Sequence, residues 1–178
     1  MRSLDSFSNS ASSARNDGWE LIRPICPDDE ERMVRFHKGL SERSVYMRYF
    51  ASLSFATRTL HSRLARICLT DPECQTVLAA IGRNPQSGEQ DIIGVGRLNK
   101  LADPSQAEVA VLVRDEFHGR GLGAALLRLL VQEARKQKIA RIEAVLLSDN
   151  FAMRRVLKRL GFHLRLVDPR IVRATLSL

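Results

Sequence analysis

The stretch Val111-Leu-Val-Arg-Asp-Glu-Phe-His-Gly-Arg-Gly-Leu-Gly-Ala-Ala-Leu-Leu127 constrains the fold more than any other part of the chain. An apolar strand runs into a turn that carries Gly119, Gly121 and Gly123. The turn opens a helix whose Leu122, Leu126, Leu129 and Leu130 share one face. Glycine lets backbone N–H groups approach a ligand with no Cβ in the way. Free N–H groups at a helix start, aided by the helix dipole, suit an anion. Arg120 adds a formal positive charge, and the chemistry that matches is pyrophosphate binding. Two familiar phosphate loops do not fit. A Walker loop needs Gly-Lys-Ser/Thr, and a dinucleotide fingerprint needs Gly-x-Gly-x-x-Gly in an early βαβ unit.

The surrounding pattern places this loop late in a mixed chain. Trp19 to Ile25 reads as a short strand stopped near Pro24. Pro27-Asp28-Asp29-Glu30-Glu31 opens a helix with a buried stripe of Met33, Val34, Phe36, His37 and Leu40. Ser41 or Ser44 caps a second helix through Tyr46, Tyr49 and Phe50. A third helix is expected from Thr59 to Cys68. Strands follow at Gln75–Gly82, Asp91–Leu98 and Ala107–Val113, joined by turns at 84–88 and 103–105, which suggests an antiparallel meander. After the helix from Gly121 to Lys138 come a strand at Ile142–Leu147, a helix at Asn150–Leu160 ended by Gly161, and a hairpin of Phe162–Val167 and Ile171–Leu176.

With 178 residues and 44% apolar residues, the chain is one globular domain. The formal net charge of +8 favours anionic partners without choosing among them. Nucleic acid is not expected, because no helix-turn-helix or zinc finger is recognisable and aromatics are only 6%. Cys26, Cys68 and Cys74 have no metal-ligand spacing, so neither a metal nor a disulfide framework is expected, which fits the cytoplasm. No apolar run is long enough for a membrane span. Met1 to Asp17, rich in Ser and Asn, reads as a flexible tail, with the domain at 18–178.

The loop from His118 to Gly123 resembles motif A of the GNAT (GCN5-related N-acetyltransferase) superfamily, Gln/Arg-x-x-Gly-x-Gly/Ala. Asn150-Phe-Ala-Met-Arg-Arg-Val-Leu-Lys-Arg-Leu-Gly-Phe162 is similar to that family's Asn-x-x-Ala…Gly-Phe ending. A narrower resemblance, to the GNAT domains of bacterial protein-lysine acetyltransferases, is carried by Leu21–Ile25, Ser44–Phe50, Ile93–Leu98 and Ala107–Val113. The resemblance implies an α/β (α+β) fold with a central mixed, mostly antiparallel sheet flanked by helices. It implies acetyl-CoA as cosubstrate, with no metal. The strand before motif A would splay from its neighbour at a bulge and pair with pantetheine through the Leu112 and Val113 backbone. Arg114, His118, Gly119, Arg120, Gly121, Leu122, Gly123 and Ala124 would surround the pyrophosphate, with Asn150 near the pantetheine arm.

The implied reaction is direct transfer of an acetyl group to a primary amine, read as a protein lysine. A small-molecule amine, or a catalytically weak acyl-CoA sensor, is the alternative. A homodimer through the final hairpin is a family-level expectation. Glu108, near the start of the strand into motif A, is the first candidate for the general base. The protein-lysine acetyltransferases carry a catalytic Glu in a segment resembling Asp-Tyr-Asp-Arg-Glu. Here that run is Asp71-Pro72-Glu73-Cys74-Gln75, which puts Gln75 at the Glu position. Glu73, two residues away on the same strand face, is the second candidate. Leu157 stands where many members place a Tyr that protonates the leaving thiolate.

Overall fold

The computed structural model describes residues 18–69, 71, 73–84 and 87–178. The expected tail at 1–17 and the middle of the 84–88 turn lie outside the described residues. Seven strands form one sheet in the order β1-β2-β3-β4-β5-β7-β6. These are β1 (Leu21–Pro24), β2 (Gln75–Arg83), β3 (Gln90–Lys100), β4 (Gln106–Val113), β5 (Arg141–Leu147), β6 (His163–Asp168) and β7 (Ile171–Ser177). Every adjacent pair is antiparallel except β4–β5. The meander β2-β3-β4 needs only short turns, whereas the parallel β4–β5 step is crossed by helix α5 (Leu122–Lys136).

The two faces of the sheet carry two cores. On one face Leu122, Leu126, Leu127 and Leu130 of α5 pack on Ala107, Val109, Ile142, Ala144 and Ala174, joined by Leu157 of α6 (Phe151–Arg159). On the other, Met33 and Phe36 of α1 (Glu30–Lys38), Val45 of α2 (Glu42–Tyr49) and Leu64 and Ile67 of α4 (His61–Cys68) cover Val77, Ala79, Ile92 and Val95. Alternation along each strand sends successive side chains to opposite cores.

Local caps explain where the early helices differ from expectation. Ser41, not Ser44, caps α2, accepting from the Ser44 N–H at 3.2 Å. The helix expected from Thr59 to Cys68 is α4, which begins at His61, and a short unexpected helix, α3 (Phe55–Arg58), precedes it. Ser54 accepts from the Thr57 N–H at 3.1 Å and starts α3, and Leu60, at φ −54° and ψ 129°, breaks the run before α4.

The start of α1 is tied down by a buried carboxylate. Asp29 has no exposed surface. Arg23 reaches it at 2.6 and 2.8 Å, Arg32 at 3.0 Å and the Cys26 N–H at 3.0 Å. Burial alone would push its pKa up, but the hydrogen bonds from Arg23, Cys26 and Arg32 outweigh burial and hold it well below the usual carboxylate range. Asp29→Asn strands Arg23, and a loss of about 3 kcal/mol is expected in urea unfolding at pH 7. A folded pKa below the unfolded value of ~3.9 means that Asp29's contribution is present above that pH and fades as pH falls further. The gap between wild type and variant should therefore close in acid. An equal gap at pH 3 and pH 7 would rule out the carboxylate charge as its source.

Candidate active site

Gly119 and Gly121 have φ of +75° and +87°, the left-handed region that glycine enters without strain. They turn the chain from β4, through a short helical turn at Asp115–Phe117, into α5. Gly121 caps α5 and offers no side chain to it. The N–H groups of Leu122, Gly123 and Ala124 at this helix start therefore have no intrahelical acceptor. Arg120 stands exposed beside them, its guanidinium 5.1 Å from the Phe117 ring centre. A Cβ added at Gly119 would meet nothing within 4 Å, and one at Gly121 only Trp19 at 4.0 Å. This is an open, N–H-lined, cationic cradle, and it fits a pyrophosphate.

Asp115 anchors the loop from outside. It accepts from the Ser41 N–H at 2.9 Å, the Ser41 hydroxyl at 2.6 Å and the Ser44 hydroxyl at 2.8 Å, which ties the loop to the start of α2. His118 is exposed, with Nε2 2.9 Å from the Val113 carbonyl oxygen.

The strand beside the cradle parts from its neighbour. The β4–β5 ladder holds only Gln106↔Arg141, Ala107↔Ile142 and Glu108↔Glu143, and β4 runs on to Val113 with no β5 partner. The β3–β4 register stays unbroken from Lys100↔Ala107 to Gly94↔Val113. The expected bulge is therefore absent from that ladder; the parting comes from divergence of the parallel strands. The Arg114 N–H donates to the Ile93 carbonyl at 2.9 Å, so alternation turns the Leu112 backbone toward β3 as well. The groups facing the gap belong to Val111 and Val113. Leu112 meets the site through its side chain, on the opposite side of the strand from the gap's α5 face.

Two further expected site residues have other commitments. Arg114 is buried, with ion pairs to Glu116 at 2.5 Å and Asp91 at 3.6 Å, and its guanidinium packs against Gly39. It can serve the loop only through its backbone. The side chain of Leu122 is core, so its share in the cradle is its N–H. Asn150 caps α6, accepting from the Met153 N–H at 3.2 Å.

Glu108 sits in a polar row that crosses the sheet. Gln75, Asn99, Glu108, Glu143 and Thr175 are successive cross-strand partners on one face, all half-buried. Glu108 and Glu143 stand side by side at the last β4–β5 pair, where the gap begins. Sequence reasoning passed over Glu143, because only the register brings it beside Glu108. Glu73 is not on the expected strand face. β2 begins at Gln75, and Glu73 lies exposed in a turn where its N–H is held by the Asp71 carboxylate at 3.0 Å.

Past this row on the same face, a pocket is lined by Phe36, His37, Arg48, Tyr49, Arg97 and Leu112, with Met33, Ile67, Val95 and Ala110. Beyond the end of β5, Tyr46 of α2 lines a second cleft with Leu147, Ser148, Asp149 and Arg170. Leu157 is core on the opposite face of the sheet. Among the described residues no cluster of His, Cys, Asp and Glu is placed to hold a metal ion, and no helix is long and apolar enough to cross a membrane.

A sheet parted beside a glycine-opened, uncapped helix is the arrangement that the resemblance implies for an acyl-CoA-dependent acyltransferase. The Acetyltransferase (GNAT) domain family matches residues 21–163, and the chain belongs to this family of N-acetyltransferases. It is 30% identical over 142 residues to Acetyltransferase PA5475 of Pseudomonas aeruginosa, covering 80% of this chain and 74% of that one. It is 31% identical over 147 residues to Acetyltransferase Pat of Mycolicibacterium smegmatis, covering 83% of this chain but only 42% of Pat. Its fold matches the GNAT domain of S. lividans PAT with a TM-score of 0.76 and 31% identity, over 88% and 89% of the two chains.

Proposed function

We propose that this protein transfers an acetyl group from acetyl-CoA to a protein lysine. The observation that carries the reading is the parting of β4 from β5 at Glu108↔Glu143, next to the uncapped start of α5. The N–H groups of Leu122 to Ala124, with those of the Gly119–Gly121 turn and with Arg120, would hold the pyrophosphate of acetyl-CoA. The Val111 and Val113 backbone would hold the pantetheine arm as an added strand does. Acetyl-CoA brings an activated thioester. The protein's own tasks are to orient the amine and take its proton. A lysine amine with a pKa near 10.4 costs roughly 4–5 kcal/mol to hold neutral at pH 7. Glu108, at the closed end of the gap, would take that proton, directly or through water. The likeness to Pat and PAT supports a protein acceptor; the carboxylate and the open gap support an amine of any size.

The test is to incubate the protein with acetyl-CoA and either a protein extract or a panel of small amines. Acetylation is then read by mass spectrometry and CoA release by a thiol reagent. Lysine acetylation above the no-enzyme background, at defined proteins, is expected. CoA release with small amines alone would move the acceptor to that class. Binding of acetyl-CoA with no release on either panel would make the domain a sensor.

A further inference from the structure

We propose that the pocket beneath α1, α2 and α4 is an anion site for the acceptor, holding a carboxylate carried a few bonds from the reacting amine between Arg48 and Arg97, beside His37. The inference rests on the acetyl-transfer reading and names the acceptor chemistry within it.

The cluster is built around Tyr49. Arg48 lies 5.2 Å and Arg63 4.9 Å from the centre of its ring, while Arg97 rises from β3 on the pocket floor. Two guanidiniums elsewhere are matched by acid: Arg114 holds Asp91 and Glu116, and Arg23 holds Asp29. This cluster is not. Among the described residues none of Arg48, Arg63 and Arg97 has a carboxylate at salt-bridge distance. The neighbour of Arg97 is the neutral side-chain amide of Gln75. Arg58, only 7% exposed, adds a fourth cation behind the pocket, donating to the His37 carbonyl at 3.1 Å. Glu108 acts on Arg97 from a distance but pairs with none of the three, so gathering these like charges remains costly, and an incoming anion lowers that cost.

His37 gives an independent sign of the same site. It is 1% exposed, lines the pocket, and neither ring nitrogen has a partner among the described residues. Burial, then the charges of Arg58 and Arg63, lower its pKa to about 4. The ring is therefore neutral at pH 7, with one N–H and one lone pair unmet. Burial and then the charge of Arg48 push the pKa of Arg97 down as well, against the smaller opposing influence of Tyr49 and Glu108. The pocket's free volume of about 20 Å³ admits a carboxylate oxygen rather than a whole ligand, and that oxygen would meet the His37 N–H and the guanidinium donors at the pocket.

The location ties the anion to the acceptor. Arg97 pairs with Ala110, two residues along the strand from Glu108 and on the same face. Same-face neighbours in a strand are about 7 Å apart. An amine at Glu108 and a carboxylate at Arg97 are therefore separated by a few bonds. Two sources supply that chemistry: the carboxylate of a free amino acid, or an acidic side chain beside a lysine in a peptide.

Binding is measured by calorimetry with saturating CoA, and turnover with acetyl-CoA, for two matched pairs. These are lysine against lysinamide, and a lysine peptide with a neighbouring Glu against the same peptide with Gln. The carboxylate member of one pair should bind about tenfold tighter, the worth of one charge-assisted hydrogen-bonded contact. Arg97→Gln and Arg48→Gln should each cut that preference to about threefold or less, with Arg97→Lys keeping more of it. Retained CoA binding reports that each variant is folded. A preference in the lysine pair points to an amino acid, and one in the peptide pair to an acidic sequence context. Equal binding within both pairs, no binding of any, or a preference that survives both Gln variants overturns the proposal. A preference in binding without turnover would keep the anion site and remove the transfer reading instead.

Discussion

Gly121→Asp is expected to weaken acetyl-CoA binding by about 100-fold or more, close to 3 kcal/mol, while the chain stays folded. The argument rests on where Gly121 sits. Its φ of +87° places it in left-handed backbone, so any side chain there costs about 1–2 kcal/mol of local strain. That strain falls on an exposed turn, and α5 beyond it is held by Leu122, Leu126, Leu127 and Leu130 in the core. The new side chain meets open space, with Trp19 the nearest contact at 4.0 Å. Aspartate there does two things to a bound pyrophosphate: it competes for the free N–H groups of the first turn, and it repels the negative charge. Gly121→Asn separates them. Asparagine has the same shape and tolerates positive φ, but carries no charge, so a loss of roughly tenfold is expected. Calorimetry against acetyl-CoA reads the affinity, and thermal unfolding without ligand reads the fold. A folded Asp variant with wild-type affinity would put the pyrophosphate away from α5.

Much of the fold is local in origin and therefore legible in the sequence. Strand alternation, the capping serine of α2 and the glycines around α5 and after α6 are all decided within a few residues of themselves. The cradle belongs to this class, because Gly119, Gly121 and the helix they open are contiguous. The differences have separate causes. Ser54 caps a four-residue α3 that lies before the expected Thr59–Cys68 helix. Asp71 turns the chain before β2, so alternation counted back from Gln75 to Glu73 describes a strand that is not there. Arg114 looks like a phosphate ligand by its place in the motif, but Asp91, on another strand, draws it into the core. The motif puts open backbone at Leu112, yet the Arg114 N–H bond to Ile93 sets the opposite parity. The acid pair and the arginine pocket lay further from reach. Arg48 comes from α2, Arg63 from α4 and Arg97 from β3, and only the packing of two helices over the register brings their charges together.

That register also decides which carboxylate to remove. Glu108→Gln is expected to lower kcat by about 10²–10⁴, the usual worth of a positioned general base, with the affinity for acetyl-CoA unchanged. Glutamine keeps the size and one acceptor oxygen of Glu108, so it tests proton removal rather than packing. Glu143→Gln is the necessary comparison, since Glu143 faces Glu108 across the last β4–β5 pair. If the pair shares the task, the double variant will lose little more than the worse single one. A larger loss for Glu143→Gln than for Glu108→Gln would move the base to β5. Glu73→Gln, exposed in its turn, should retain near wild-type turnover. The pH profile distinguishes a lost base from a disturbed site. As pH rises toward the amine pKa of about 10.4, solvent does the work of the missing carboxylate and the deficit of Glu108→Gln should shrink. A deficit that is constant with pH would mean that Glu108 positions the acceptor and that its proton leaves by another route.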